Sequence, residues 1–247
     1  SNDFVASISK VTHDIVKNVS PDVDTAYLPH AVNTKIYKEI PQEERNKLKE
    51  DSGFDKDKFV VFWNNRNARR KQSGTLIFWF KEFLDRIGRD KATLLMHTEP
   101  SDPNGPNLHA IIQELGLLNG EVKFSVNKVD FEHLAAMYNI ADVTVNISDA
   151  EGFGLSTLES LCCGTPIIVN MTGGLQEQVT DGENWFGIGI EPASKAVIGS
   201  QDIPFIYEDR LNKEDFISAL EKIYNMTDEE RQEMGKKGQE YVKKKFI

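Results

Sequence analysis

Two glutamates, Glu151 and Glu159, stand either side of a short glycine-containing turn in the stretch DAEGFGLSTLESLCCGTP, residues 149–166. The run DVTVNIS (142–148) before it reads as a strand, and Leu155 to Cys163 continues at helical spacing until Gly164-Thr-Pro stops it. A helix that starts straight after a strand leaves its first amides unpaired, with the positive end of its dipole behind them. The amides of Phe153, Gly154, Leu155 and Ser156 therefore offer a seat for an anion, most simply phosphate. Gly152 and Gly154, without Cβ atoms, let a ligand approach the backbone closely. Glu159 lies about one turn inside the helix, and its side chain leans back toward the helix start. Carboxylates do not bind phosphate, but they accept hydrogen bonds from sugar hydroxyls. One acid before the turn and one after it match the layout of a nucleotide sugar: ribose, diphosphate, hexose. The competing reading on spacing alone makes Glu159 a solvated helix residue and Glu151 a favourable charge at a helix start.

A second cluster lies upstream. Arg66-Asn-Ala-Arg-Arg-Lys71 places four positive charges in six residues, directly after the strand-like KFVVFW (58–63). Arg66 and Lys71 at the carboxyl edge of a neighbouring strand would neutralise a departing diphosphate. The alternative is a solvated charged loop.

These residues need a scaffold, and the chain alternates short apolar runs with longer helical periods. KFVVFW is followed by Leu76, Ile77, Phe80, Phe83, Leu84 and Ile87 at helical spacing, with Gly88 as the stop. Next come ATLLMH (92–97), a helix around 108–115, VKFSV (122–126), a helix over 132–138, DVTVNIS, GTPIIVN and WFGIGI. Strands that are apolar throughout are expected where helices cover both faces of a parallel sheet. The reading is an α/β, Rossmann-like, doubly wound domain over 41–247. From Asn212 onward two charged helices close it, with Thr227-Asp-Glu-Glu as a capping signal between them. Residues 191–210 fit neither period and read as an insertion or long loop. Residues 1–40 read as a strand, a helix and a linker, the tail of another domain.

Composition bounds the partners. The 247 residues carry a net charge of −10, which disfavours nucleic acid or an anionic membrane as the main partner. No apolar run approaches the roughly 20 residues of a membrane-spanning helix, and a cytoplasmic location follows by default. Cys162 and Cys163, adjacent in an apolar helical segment, offer neither a disulfide framework nor metal spacing and are expected to pack. The five histidines are scattered without ligand spacing, so no metal site is expected from them; His30 in the linker is a candidate for domain contact. Trp63, Trp79 and Trp185 are expected to pack rather than form a sugar platform.

At this point the chain resembles a known family. Glu151 and Glu159, with seven residues between, match the E-x7-E motif of retaining GT-B-fold glycosyltransferases of the family 4 group, and Arg66 and Lys71 resemble that family's paired Arg and Lys. ASIS (6–9), YLPHAVN (27–33) and TGGLQEQVTDGEN (172–184) resemble its domain end, linker and Gly-Gly-x-x-Glu loop. The form NNRNARRK, with the insertion, looks closest to glycosyltransferases of large algal viruses. The resemblance implies that Glu159 holds the ribose, Glu151 meets the transferred sugar, and Arg66 and Lys71 bind the diphosphate. It further implies that main-chain groups of Phe153, Gly154 and Leu155 contact sugar and phosphates, and that the base lies near Val126 to Val129. Transfer of a hexose would retain configuration, with no metal or other cofactor. The linker departs from the family, reading His-Ala-Val-Asn at 30–33 where a Gly and an Asp are usual. The resemblance further implies a missing N-terminal domain that carries the site of an unknown acceptor (glycan, protein or lipid), leaving this chain as the donor-binding half.

Three rivals stand beside it. Asp22-Val-Asp24 could be the metal-binding D-x-D of a GT-A transferase, though its place before Tyr27-Leu-Pro favours a turn. Glu151 and Glu159 could be the acid and base of a glycosidase, against which the phosphate-shaped turn and arginine run argue. The chain could also be a nucleotide-sugar-binding module without catalysis.

Overall fold

The structure is a computed structural model and describes residues 3–247. Its centre is a six-stranded, all-parallel sheet. In chain order the strands are β3 (Phe59–Asn64), β4 (Ala92–His97), β5 (Val122–Ser125), β6 (Val143–Asn146), β7 (Ile167–Asn170) and β8 (Gly187–Ile190), after the leading β1 (Phe4–Ser7) and β2 (Asp24–Tyr27). They lie in the order β5-β4-β3-β6-β7-β8. The chain builds outward from β3 to one edge, then crosses back and builds outward from β6 to the other, so β3 and β6 meet at the switch point.

Helices fill both faces: α3 (Ser73–Ile87), α4 (Leu108–Glu114), α5 (Phe131–Ile140), α6 (Leu155–Cys162), α7 (Gln176–Val179), α8 (Lys213–Tyr224) and α9 (Asp228–Lys245), preceded by α1 (Lys10–Val19) and α2 (Gln42–Asp51). Side chains alternate across β3. Phe59, Val61 and Trp63 join a core with Leu76, Phe80 and Phe83 of α3 and Phe216 and Leu220 of α8. Val60 and Phe62 join the opposite core with Tyr138 of α5, Leu158 and Leu161 of α6, and Val242 and Phe246 at the C-terminal end. That is why the strand reads as an unbroken apolar run. Cys162 and Cys163 are buried in the second core, as packing residues.

The helix ends follow their signals. Gly88 sits at φ 111° after α3, and Thr227 and Glu230 form a reciprocal capping box at the start of α9. The helix α2 lies in a stretch without apolar periodicity, because it is almost wholly polar and places a single residue, Lys49, in the buried class.

Two small units stand apart from the main sheet. The strands β1 and β2 pair in parallel across α1, and they form a sheet of their own. The second is an antiparallel hairpin of β9 (Ser194–Val197) and β10 (Tyr207–Arg210), which occupies the segment expected to be a loop. Its apolar residues, among them Val197, Ile203, Phe205 and Tyr207, face solvent, so burial imposes no period on the sequence. Trp185 also departs from expectation. It is 48% exposed, lying in the turn before edge strand β8 rather than in a core. Among the described residues, no helix is long and apolar enough to cross a membrane.

Candidate functional site

The β3–α3 and β6–α6 loops leave the sheet at its switch point and pass to helices on opposite faces, opening a crevice beyond the carboxyl ends of β3 and β6. The turn at residues 149–154 forms one wall. Gly154 precedes α6 at φ 91°, and a Cβ there would fall 2.6 Å from Cδ2 of Leu175, so this position requires glycine. Beneath the turn, Gly173 approaches so closely that a Cβ would fall 1.6 Å from the carbonyl oxygen of Glu151. The fully buried Gln178 donates through Nε2 to the carbonyls of Phe153 (2.7 Å) and Gly154 (3.1 Å). With those carbonyls drawn inward, the opening of α6 carries no side-chain cap and no acidic residue in its first turn. The dipole and amides at Leu155 and Ser156 suit an anion.

Lys71 and Glu151 bond each other across this crevice, ammonium Nζ to carboxylate Oε2. Lys71 is only 8% exposed. Burial pulls its pKa below the ordinary lysine value, against the opposing attraction of Glu151. Asn146, at the end of β6, also donates to Oε2 of Glu151 (3.3 Å), and the Arg70 guanidinium stands 3.9 Å from Oε1. One carboxylate therefore gathers two cations and an amide.

Glu159 sits one turn into α6. The Tyr138 hydroxyl donates to its Oε2 at 2.7 Å and accepts from Nδ2 of Asn64 at 2.8 Å. Burial pushes the Glu159 carboxyl above its ordinary pKa, while the Tyr138 hydrogen bond works in the opposite direction. Asn64, Lys71, Glu151, Leu155, Ser156 and Glu159 are among the residues that line a single cleft of about 260 Å³, to which Gly154 also contributes.

The family model described as "Glycosyl transferases group 1" matches residues 44–241, a span that contains the whole cleft. The chain belongs to glycosyl transferases group 1. Similar members of known type include D-inositol 3-phosphate glycosyltransferase 2 of Catenulispora acidiphila, 30% identical over 169 residues, a match covering 65% of this chain and 39% of that protein. Among solved structures, sucrose-phosphate synthase of Thermosynechococcus elongatus superposes with a TM-score of 0.76 at 26% identity, over 100% of this chain and 55% of that one. HepE of Anabaena, solved with UDP and glucose, superposes at 0.74 and 19% identity, over 99% of this chain and 59% of that one. The chain thus spans between 39% and 59% of the length of these three proteins. Its fold is that of the C-terminal domain of a GT-B glycosyltransferase.

In this group 1 chain the expected site residues are not all together. Arg66 lies outside the cleft. Its guanidinium pairs with Asp102 in the β4–α4 loop, at 2.7 Å and 3.3 Å, and its side chain is 66% exposed. The cation beside Glu151 that spacing did not single out is Arg70, which also donates to the Ala150 carbonyl at 2.6 Å. Phe153 does not line the cleft, and its carbonyl turns inward to Gln178. Its ring is buried edge-on between His30 (5.1 Å between ring centroids) and Phe246 (5.9 Å). Val126 follows β5 and is 51% exposed, outside the cleft lining. Asp24 opens β2, paired with Phe4, and neither it nor Asp22 lines the cleft.

The Gly-Gly-x-x-Glu loop plays two parts. Its glycines underlie the turn, and Glu177 binds the leading βαβ unit: Oε2 accepts from the amide of Lys10 at 2.6 Å, and Oε1 from the hydroxyl of Tyr27. Tyr241 of α9 donates to the Glu177 carbonyl at 2.5 Å. Tyr138, Asn64 and Gln178 are polar residues that spacing alone did not reveal. Tyr138 sits in the mainly apolar LAAMYNI and Asn64 closes the run FVVFWN, whereas Gln178 lies in the polar LQEQVT and carries no signal of its own.

Proposed function

We propose that this chain is the donor side of a retaining hexosyltransferase that takes its sugar from a nucleoside diphosphate. The observation that carries the reading is the convergence of Lys71, Glu151 and Glu159 on the opening of α6 at the sheet's switch point. Glu159, oriented by Tyr138, keeps a carboxylate oxygen for the ribose hydroxyls. The diphosphate lies against the amides of Leu155 and Ser156, and Lys71, with three N–H donors, serves a phosphate oxygen as well as Glu151. Glu151 faces the sugar hydroxyls. Arg66 reaches the diphosphate only by leaving Asp102.

In the transfer, the bond between the anomeric carbon and the diphosphate oxygen breaks, and the electron pair leaves with the nucleoside diphosphate. Lys71 and the α6 dipole stabilise that growing charge. An acceptor hydroxyl bonds to the anomeric carbon on the same face, and its proton passes to the departing phosphate oxygen. Residues 1–40 serve as the end of a preceding domain and its linker, consistent with a β1–β2 pair that does not join the main sheet. The narrower likeness to algal-virus enzymes rests on residues 64–71 and 191–210 alone.

Calorimetric titration with UDP, GDP and ADP tests the reading. We expect at least one to bind, and Glu159→Ala to weaken it about tenfold, the loss of a charge-assisted hydrogen bond. Absence of binding by all three overturns it. A binding module without catalysis is the second reading, favoured by the 39–59% span of the similar proteins. Turnover of UDP-glucose with an acceptor-carrying domain supplied separates the two, since a donor half then transfers and a module only binds.

A further inference from the structure

Gln72, next to Lys71, is the one non-glycine residue with a positive φ among the described residues, at φ 58° and ψ 33°. The left-handed region is costly for a side chain of this kind and persists only where its surroundings impose it. Both ends of the Gln72 amide are held. Nε2 donates to Oδ2 of Asp149 at 2.6 Å, and Oε1 accepts from the Thr75 hydroxyl at 2.6 Å. Asp149 grips the same loop again on the other side of Lys71, where its backbone amide donates to the Arg70 carbonyl at 2.8 Å. One residue thus fastens both neighbours of Lys71. It stands two positions before Glu151, the partner of Lys71, so the two loops cannot slide past each other without breaking these bonds.

Asp149 is itself held from a third direction. The carbonyl of Asp149 accepts from the amide of Asp209 on β10 at 2.8 Å, and its carboxylate pairs with Arg210 at 3.3 Å. Glu208 of the same strand takes Arg69 in a two-pronged ion pair at 2.6 Å and 3.1 Å, and also pairs with Arg210 at 2.8 Å. Asp209 is tied down in turn by the Thr172 hydroxyl at 2.7 Å and by Asn170 at 3.0 Å. Three consecutive residues of β10 therefore bond to the two loops that carry Lys71 and Glu151, and Asp209 also ties the hairpin to Asn170 and Thr172 at the end of β7. Solvent faces the rest of the hairpin.

We propose that Asp149, held between Gln72 and Arg210, is a positioning residue that fixes Lys71 against Glu151, and that the β9–β10 hairpin is the element that holds Asp149 in place. Its consequence for donor binding rests on the function proposed above; the clamp itself is testable without a donor.

Amine labelling of the intact chain with acetic anhydride, resolved by lysine in a mass spectrometer, reads the clamp. Lys49 is the internal control: it is 6% exposed and paired with Asp142 at 3.1 Å, on α2. We expect Asp149→Ala and Gln72→Gly each to speed Lys71 labelling about tenfold, the effect of losing one hydrogen bond to a charged group, while Lys49 is unchanged. Glycine accepts the left-handed backbone freely, so Gln72→Gly isolates the tether from the strain. Asp149→Asn keeps an acceptor for Gln72 and should return Lys71 most of the way to its slow rate. An unchanged Lys71 in both disruptive variants overturns the proposal, and so does a rise of Lys49 in step with Lys71. UDP titration of the same variants adds the functional arm, with about tenfold weaker binding expected for Asp149→Ala. If the unaltered chain binds no nucleotide, the donor reading fails while Lys71 labelling still decides the clamp.

Discussion

The Tyr138 hydroxyl lies 2.7 Å from Oε2 of Glu159 and 2.8 Å from Nδ2 of Asn64, tying a strand of the sheet to the acid inside α6. Tyr138 is fully buried, so no water stands in for it readily. Tyr138→Phe should lower stability by about 1–2 kcal/mol, because it strands two polar groups. Denaturant unfolding measures the stability. Nucleotide affinity should fall several-fold in the same variant, since Glu159 is no longer held toward the cleft.

Glu159 makes that affinity depend on pH. Its carboxyl is raised by burial, so it takes up a proton at a higher pH than an ordinary glutamate. A protonated Glu159 accepts less well from a hydroxyl, so UDP should bind more weakly as pH falls through that raised value. Tyr138→Phe removes a group that lowers the pKa, and the midpoint should move upward. Calorimetry between about pH 4.5 and 8 follows both midpoints; a Tyr138→Phe midpoint equal to the parent's would contradict this account.

Lys71, buried, and Glu151, partly buried at the cleft, form a pair in which each neutralises the other. Lys71→Met alone leaves the Glu151 carboxylate without its ammonium and should cost about 3 kcal/mol. The double variant Lys71→Met/Glu151→Gln should regain most of that loss while its UDP affinity stays weakened. Urea unfolding of the parent, the two single variants and the double completes the cycle; strictly additive losses would show that the pair is not coupled.

Asp149 gives the fold a pH dependence of its own. Burial pushes its carboxyl up to about 6 from 3.8, so the folded chain holds that proton more tightly than the unfolded chain. The stabilisation is complete below the unfolded value and is lost as pH rises to about 6. Asparagine does not titrate. Asp149→Asn should therefore gain about 2 kcal/mol relative to the parent between about pH 4 and pH 6.5, measured by urea unfolding at constant salt.

Gly173 tests the floor of the site. At φ 50° and with Glu151's carbonyl in the path of any Cβ, Gly173→Ala must displace the turn at 149–154. We expect a loss of about 3 kcal/mol or more, and loss of nucleotide binding in whatever remains folded. Circular dichroism at a temperature where the variant is folded, paired with UDP titration, separates the two effects.

The sequence made legible what depends on neighbours along the chain. β3 and β4 announced themselves because both faces are covered, and Glu151, Glu159 and Lys71 because a turn and a helix start fix where they point. Arg66 was misplaced because its partner, Asp102, is 36 residues away on another loop. Tyr138 reads from its spacing as a core aromatic, and only the fold brings its hydroxyl between Asn64 and Glu159. The hairpin was opaque for the opposite reason: its strands bury little, so nothing forced a period on them, while its polar ends answer to loops more than 50 residues away.

Glu177 links the leading βαβ unit to the loop on which the anion seat rests. A rotation of α1 or β2 would pull on this carboxylate, and the strain would travel the few residues back to Gly173, which has no slack beneath Glu151. The first helix and the floor of the cleft thus share one carboxylate: a shift of α1 or β2 would have to be absorbed in the few residues between Glu177 and Gly173.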